Sequence, residues 1–254
     1  MFFNLLFLSV GLPLSLGLLF GSFFSVISYR LIRNMTWVTG RSVCPRCKKQ
    51  IAWYDNLPLI SFIFLKGRCR NCKIHISIRY PLIEIATGLG FVYLAQLFYL
   101  NPLTLIYSII VFSILFIIFI IDFEHKIIPD SLIFIGLLVT VSYYLLANNQ
   151  RLIPSLFAGL TSALALLIIH LLTRGRGMGL GDVKFAVWGG MLVGFKYNLI
   201  WLFLAFLTGG MAGIILILGK RAGLKDQIAF GPFLIVAIGL TFVFGDELIN
   251  LLGY

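Results

Sequence analysis

Two aspartates and four cysteines are the residues of this chain whose types and settings can do chemistry. Asp122 closes an apolar run, in FIIFIIDFEHKIIPD, and Asp182 opens another, in RGRGMGLGDVKF. An acid at the end of a long apolar run is costly, and such acids are retained mainly for function. Two carboxylates brought together from different helices cannot comfortably both ionise, so they share a proton. One can then activate a water while the other protonates a peptide carbonyl. The bland alternative is two unrelated aspartates at a membrane boundary. Gly175, Gly177, Gly179 and Gly181 precede Asp182. Glycines let a backbone approach closely and suit the docking of an extended peptide by main-chain hydrogen bonds. A flexible loop ahead of a helix would read the same way.

The cysteines fall in two pairs, Cys44-x-x-Cys47 and Cys69-x-x-Cys72, with 21 residues between the pairs. Two such knuckles at this spacing make a four-thiolate tetrahedral zinc site with no open coordination position, so the metal is expected to be structural. Two disulfides or a redox pair are the competing reading. His75 lies close by and is taken as an ordinary loop histidine rather than a ligand. The apolar segment 57–65 between the knuckles is far too short to span a membrane. It is expected to pack on the metal loop or touch the membrane surface.

The elements that must position these groups follow from composition. Of 254 residues, 60% are hydrophobic and 11% charged, against about half and a quarter in soluble domains. The apolar excess lies in runs near the length that crosses a bilayer: 2–26, 82–100, 103–121, 132–147, 152–172, 183–195, 199–218 and 228–244. The sixth is short. The first lacks a basic leader region and a small-residue cleavage site, so it reads as a retained span rather than a removed signal. The chain therefore reads as an all-α polytopic membrane protein of about eight transmembrane helices with a small cytoplasmic zinc-ribbon-like loop. Its expected parts are a first span (1–27), a zinc-binding loop (28–81) and a transmembrane catalytic region (82–254).

Charge orients the spans. Segment 28–81 carries eleven basic residues, among them Arg41, against one acid, Asp55. The positive-inside rule places it in the cytoplasm. With eight spans and both termini outside, the connections carrying Lys126, Arg174, Arg176, Lys220, Arg221 and Lys225 are cytoplasmic too, and Lys184 lies just beyond one of them. Only Arg151 and Lys196 face outward. The net charge of +11 is thus explained by topology and attraction to anionic lipid, without nucleic acid. Both Asp122 and Asp182 fall at the cytoplasmic boundary, and the thiols lie in a reducing compartment where stable disulfides are rare. That favours zinc.

The remaining acids have simpler expected roles. Asp246 and Glu247 read as solvated charge outside, and Asp226 as a partner for Lys225. Asp130 reads as a helix N-cap, and Glu84 as an acid favourably placed in the first turn of a helix.

Asp122 with Ile128-Pro129-Asp130, and the segment Gly179-Leu180-Gly181-Asp182-Val183-Lys184, resemble the two active-site motifs of the type IV prepilin peptidases, which are GxGD membrane aspartyl proteases. GSFFSVISYRL at 21–31, WYDNLPLIS at 53–61, RYPLIE at 79–84 and FGPFL at 230–234 resemble that family too. Ser25 stands where the family often has Asn, and Ile32 where it often has Pro. The PAL signature of presenilin-type proteases is absent. The resemblance implies Asp122 and Asp182 as catalytic residues and prepilin or pseudopilin precursors as substrates. Cleavage would follow a Gly just before the substrate's hydrophobic stem, at the cytoplasmic face of a bacterial inner or plasma membrane. For members with the cysteine loop it further implies N-methylation of the new terminus from S-adenosylmethionine, for which no nucleotide-binding loop is visible here and no binding residue can be named; Asp55, Asn56 and Glu84 mark the plausible place. A proton-coupled transporter is the competing reading, disfavoured because both acids lie at one face rather than at the midplane. A non-catalytic zinc-ribbon scaffold of a secretion system is another; it would tolerate loss of either aspartate.

Overall fold

The computed structural model describes residues 7–33, 35, 42–147, 149–175, 177–220, 223 and 228–252. Arg41, Arg176, Arg221, Lys225 and Asp226 lie outside them. Among the described residues nine α-helices follow in order: α1 Leu12–Leu31, α2 Ile60–Phe64, α3 Arg79–Phe98, α4 Pro102–His125, α5 Asp130–Ala147, α6 Asn149–Leu172, α7 Leu180–Val193, α8 Asn198–Leu218 and α9 Gly231–Leu252. No strand longer than an isolated bridge occurs among the described residues. Seven helices are long and apolar enough to cross a membrane. The sixth apolar run is α7, whose 14 residues rise only about 21 Å, short of a hydrocarbon core of about 30 Å.

Several helices outrun the apolar runs that signal them, because hydropathy stops at the first charge while backbone hydrogen bonding does not. Helix α1 continues to Leu31, through the start of the stretch read as polar loop. Helix α4 continues to His125, so Asp122, which closes the apolar run, lies in its last turn. Helix α9 continues to Leu252 and carries Asp246 and Glu247. Asp246, read as solvated charge, accepts hydrogen bonds from Lys196 at 2.8 Å and from the Tyr197 hydroxyl at 2.6 Å.

The chain divides into two compact units, residues 1–117 and 118–254, with the boundary inside α4. In the first, α1 and α3 meet through small residues. A Cβ on Gly17 would lie 2.7 Å from the Gly88 Cα, and one on Gly21 would lie 2.7 Å from the Glu84 Cα. Glycines here let the two backbones touch, the usual device for apolar helices that gain nothing by hiding from lipid. Phe91 extends this contact to Phe20 and to Phe112.

The second unit is built around α7. Phe185, Ala186, Trp188 and Met191 are fully buried. The Trp188 indole N–H donates to Thr140 on α5 at 2.9 Å, and its ring covers Gly136. Tyr144, also on α5, donates to the Met191 carbonyl at 3.1 Å. Helix α6 presses against α7 where Gly190 faces Ser162 and Ala158. Trp201 of α8 lies over Gly189 and donates to the Leu234 carbonyl of α9 at 2.9 Å. Helix α7 thus has protein around it, which explains how a helix too short to span is stable in an apolar chain: its polar ends meet other residues rather than lipid.

Gly21→Leu is expected to cost about 1–3 kcal/mol or more by overpacking the α1–α3 contact. Gly210→Ala, where a Cβ meets nothing within 4 Å, should leave stability unchanged or raise it. Thermal unfolding of both proteins in detergent checks this; equal loss at the two positions would refute the close contact.

Candidate active site and metal centre

Asp122 and Asp182 both belong to the second unit and are buried, at 4% and 8% exposed. Asp122 stands in the last turn of α4 and Asp182 in the first turn of α7. Ile128, in the short connection between α4 and α5, lies between the two surroundings. A Cβ on Gly181 would lie 3.4 Å from the Ile128 Cβ, and one on Gly231 would lie 3.0 Å from its Cδ1 and 2.5 Å from Asp122 Oδ2. The two carboxylates are close enough to act on each other electrostatically. Neither forms an ion pair among the described residues. Asp182 Oδ2 accepts the Gly179 amide proton at 3.1 Å. Asp122 Oδ2 is buried without a hydrogen-bond partner among the described residues, where such an oxygen normally finds a donor.

The glycine segment ahead of Asp182 is tied down, not loose. His170 Nδ1 lies 2.7 Å from the Met178 carbonyl, and the Gly177 amide donates to Thr173 Oγ1 at 3.2 Å. Gly175 has φ +74, a conformation that favours glycine. The amides of Gly177 and Gly179, in the stretch read as suited to docking an extended peptide, are therefore already engaged within the chain. The sequence offered no signal for His170, which lies five residues upstream of the first of these glycines.

One further residue differs from expectation. Asp130 is the first residue of α5, and instead of capping the helix its carboxylate accepts from Lys184 Nζ at 2.7 Å. This ion pair joins the segment after Asp122 to the turn after Asp182. Gly231, from the FGPFL segment, leaves the space the Asp122 carboxylate fills; any side chain there would displace it.

The first unit holds the thiols. All four sulfurs lie within 4.8 Å of one another, and Cys44 and Cys72 are 3.7 Å apart. Bonds of about 2.3 Å to a tetrahedral zinc imply sulfur separations of about 3.8 Å, so the set fits such an ion. The knuckles repeat one geometry. Lys48 N–H donates to the Cys44 carbonyl and Lys73 N–H to the Cys69 carbonyl, both at 3.0 Å, with Lys48 and Lys73 each at φ +58. Isolated bridges Val43–Gln50 and Arg68–His75 close them. Amide donors from Cys47 and then Arg46 lower the Cys44 thiol to about 6. Cys72 receives a favourable backbone bond at Ile74, yet burial and the neighbouring thiols push it up to about 11. Four sulfurs this close cannot all ionise unless a cation lies among them.

Around the thiols the loop is pinned at two points. Arg70 grips Asp55 with two parallel bonds, Nε to Oδ2 at 2.8 Å and Nη2 to Oδ1 at 2.6 Å, holding the Asp55 carboxyl below its usual range. Glu84, expected as a simple dipole-compensating acid, is buried at 6% exposed, and its Oε2 accepts the Leu59 amide proton at 2.9 Å. Helical register alone gives no sign of that partner, which lies 25 residues upstream.

The hydrogen bond to Gly179 separates a structural from a chemical role for Asp182. Asp182→Ala should destabilise the protein by about 0.5–2 kcal/mol through loss of the cap on α7, whereas Asp182→Asn keeps an acceptor and should unfold like the unaltered protein. Identical melting of all three would show that this bond does not form.

Residues 15–98 match the bacterial peptidase A24 N-terminal domain, and residues 109–214 match the type IV leader peptidase family. The chain is 29% identical to a prepilin leader peptidase/N-methyltransferase of Pseudomonas aeruginosa, over 92% of this chain and 89% of that protein. It is 30% identical to the protein of that name from Stutzerimonas stutzeri, over 92% and 90%. For the Bacillus subtilis protein the figures are 28%, 92% and 94%. No solved structure matches the chain. With both domain matches in order and relatives aligned over nearly their whole length, this chain belongs to the type IV leader peptidase family.

Proposed function

We propose that the chain is a membrane aspartyl endopeptidase that removes leader peptides from prepilin-like precursors, with Asp122 and Asp182 as its catalytic pair. The observation that carries this reading is the convergence of two buried carboxylates, neither with a cationic partner among the described residues, on the surroundings of Ile128. The names of the relatives supply the substrate class. One carboxylate, ionised, takes a proton from water as its oxygen bonds to the scissile carbonyl carbon. The other, protonated, donates to the carbonyl oxygen. Collapse of the tetrahedral intermediate breaks the C–N bond, and the leaving amine takes up a proton. In this reading Lys184 and Asp130 hold the two aspartate-bearing segments in register, and the pair works at the cytoplasmic face.

The four cysteines, by the same proposal, hold one structural zinc whose binding energy folds a loop with little core of its own. The second activity in the relatives' name, N-methylation, would draw on S-adenosylmethionine and a neutral amine. Those demands differ from a proton-sharing dyad, so we place that activity in the first unit, on residues other than Asp122 and Asp182.

Asp122→Asn and Asp182→Asn should each stay folded and lose cleavage of a prepilin-like peptide by about three orders of magnitude or more, read by product mass. Substantial processing by Asp182→Asn would sink the assignment, as would a dominant effect at Asp130 with none at Asp122. Given a precleaved peptide and labelled S-adenosylmethionine, Asp122→Asn protein should still transfer label. Failure of the unaltered protein to transfer any would remove the methylation reading while leaving proteolysis intact.

Elemental analysis should find one zinc per chain, with less in Cys69→Ser. Absence of metal together with oxidised cysteines in protein kept under reducing, cytoplasm-like conditions would refute the centre.

A further inference from the structure

Helix α2 and the turn before it expose a cluster of large apolar side chains on the thiol-bearing loop: Trp53 at 79%, Ile63 at 71% and Phe64 at 83%, with Ile60 and Leu57 beside them. No other part of this loop requires so apolar a face, and in water such a patch is a docking surface or an aggregation hazard. Its height relative to the helices is fixed by the bond from Leu59 N–H to Glu84. Leu59 is the residue before α2, held at φ +58. Glu84 lies five residues inside α3, a helix long and apolar enough to cross a membrane. At 1.5 Å per residue that is roughly 7–8 Å along the helix from Arg79. The tether thus draws α2 down to the level of the first turns of α3, where Leu82 and Ile85 also face outward. Phe64 also lines a depression whose rim carries the cations Lys66, Arg68 and Lys73.

An apolar edge flanked by cations, with an exposed tryptophan, is the pattern of a segment lying in the headgroup–acyl boundary of an anionic bilayer. We infer that the Trp53–Phe64 segment is an interfacial membrane anchor: Trp53, Ile60, Ile63 and Phe64 enter the lipid while Lys66, Arg68 and Lys73 meet phosphate headgroups. The Glu84 bond sets its depth. The anchor lays the thiol-bearing loop along the membrane surface, at the depth where the juxtamembrane part of a membrane-spanning partner emerges.

The test uses the full chain in nanodiscs containing phosphatidylglycerol, which leave both faces open to solvent. The chain has four tryptophans, Trp37, Trp53, Trp188 and Trp201, so the fluorescence of Trp37→Phe protein minus that of the Trp37→Phe/Trp53→Phe protein isolates Trp53. The expected difference spectrum is blue-shifted, quenched by lipids brominated near the glycerol end of the acyl chain, and shielded from iodide. Quenching by iodide with none from brominated lipid would place Trp53 in water and overturn the proposal. Resistance to both quenchers would place it against protein and overturn it equally. Phe64→Asp should expel the segment, red-shifting the same difference spectrum, while metal content stays unchanged; an unmoved spectrum in protein that retains its metal would count against the anchor.

Discussion

Burial of α7 is the constraint on which the second unit depends. A helix of 14 residues with an aspartate in its first turn has no stable place against lipid, where its ends would leave backbone groups unpaired. Here α5, α6, α8 and α9 surround it, and the contacts are specific: two tryptophan N–H groups and one tyrosine hydroxyl each find an acceptor, and Gly136, Gly189 and Gly190 are the places where neighbours close in. An unpaired indole N–H in such surroundings would be costly, so the Trp188 and Tyr144 bonds, which tie α7 to α5, fix its rotation and height. That rotation turns Asp182 toward the segment where α4 ends and Ile128 follows. The chemistry of the two carboxylates is therefore a consequence of how a short helix is enclosed.

The first unit meets a different constraint. Its loop has little apolar core, so its order comes from polar and covalent-like fastenings: two knuckles with the same backbone bonds, the Asp55–Arg70 pair and the Glu84 bond to Leu59. The thiol set links order to metal, since four neighbouring sulfurs ionise together only around a cation. The Asp55–Arg70 pair is largely solvent-exposed on the arginine side and adds geometric definition more than stability.

What the sequence determined by itself was whatever depends on local composition and spacing. Long apolar runs gave the spans, because crossing a bilayer requires length and hydropathy and little else. The CxxC pairs marked the four thiols as one set, because a tetrahedral thiolate site is written in spacing, and the four sulfurs do lie together. The positions of Asp122 and Asp182 at the ends of apolar runs marked them as unusual, because an acid there is costly wherever the chain folds. Only the tertiary structure decided what depends on distant partners. Asp130 became an ion-pair partner of Lys184, 54 residues away, rather than a cap. Glu84 became the acceptor for Leu59 rather than a dipole-compensating acid. Gly231 proved to be the space for the Asp122 carboxylate, and His170 a fastening for the glycine segment. Each of these is a contact between residues remote in the chain, set by helix packing that periodicity cannot specify. Likewise α7 read as a doubtful span because hydropathy measures fitness for lipid, and what surrounds this helix is protein.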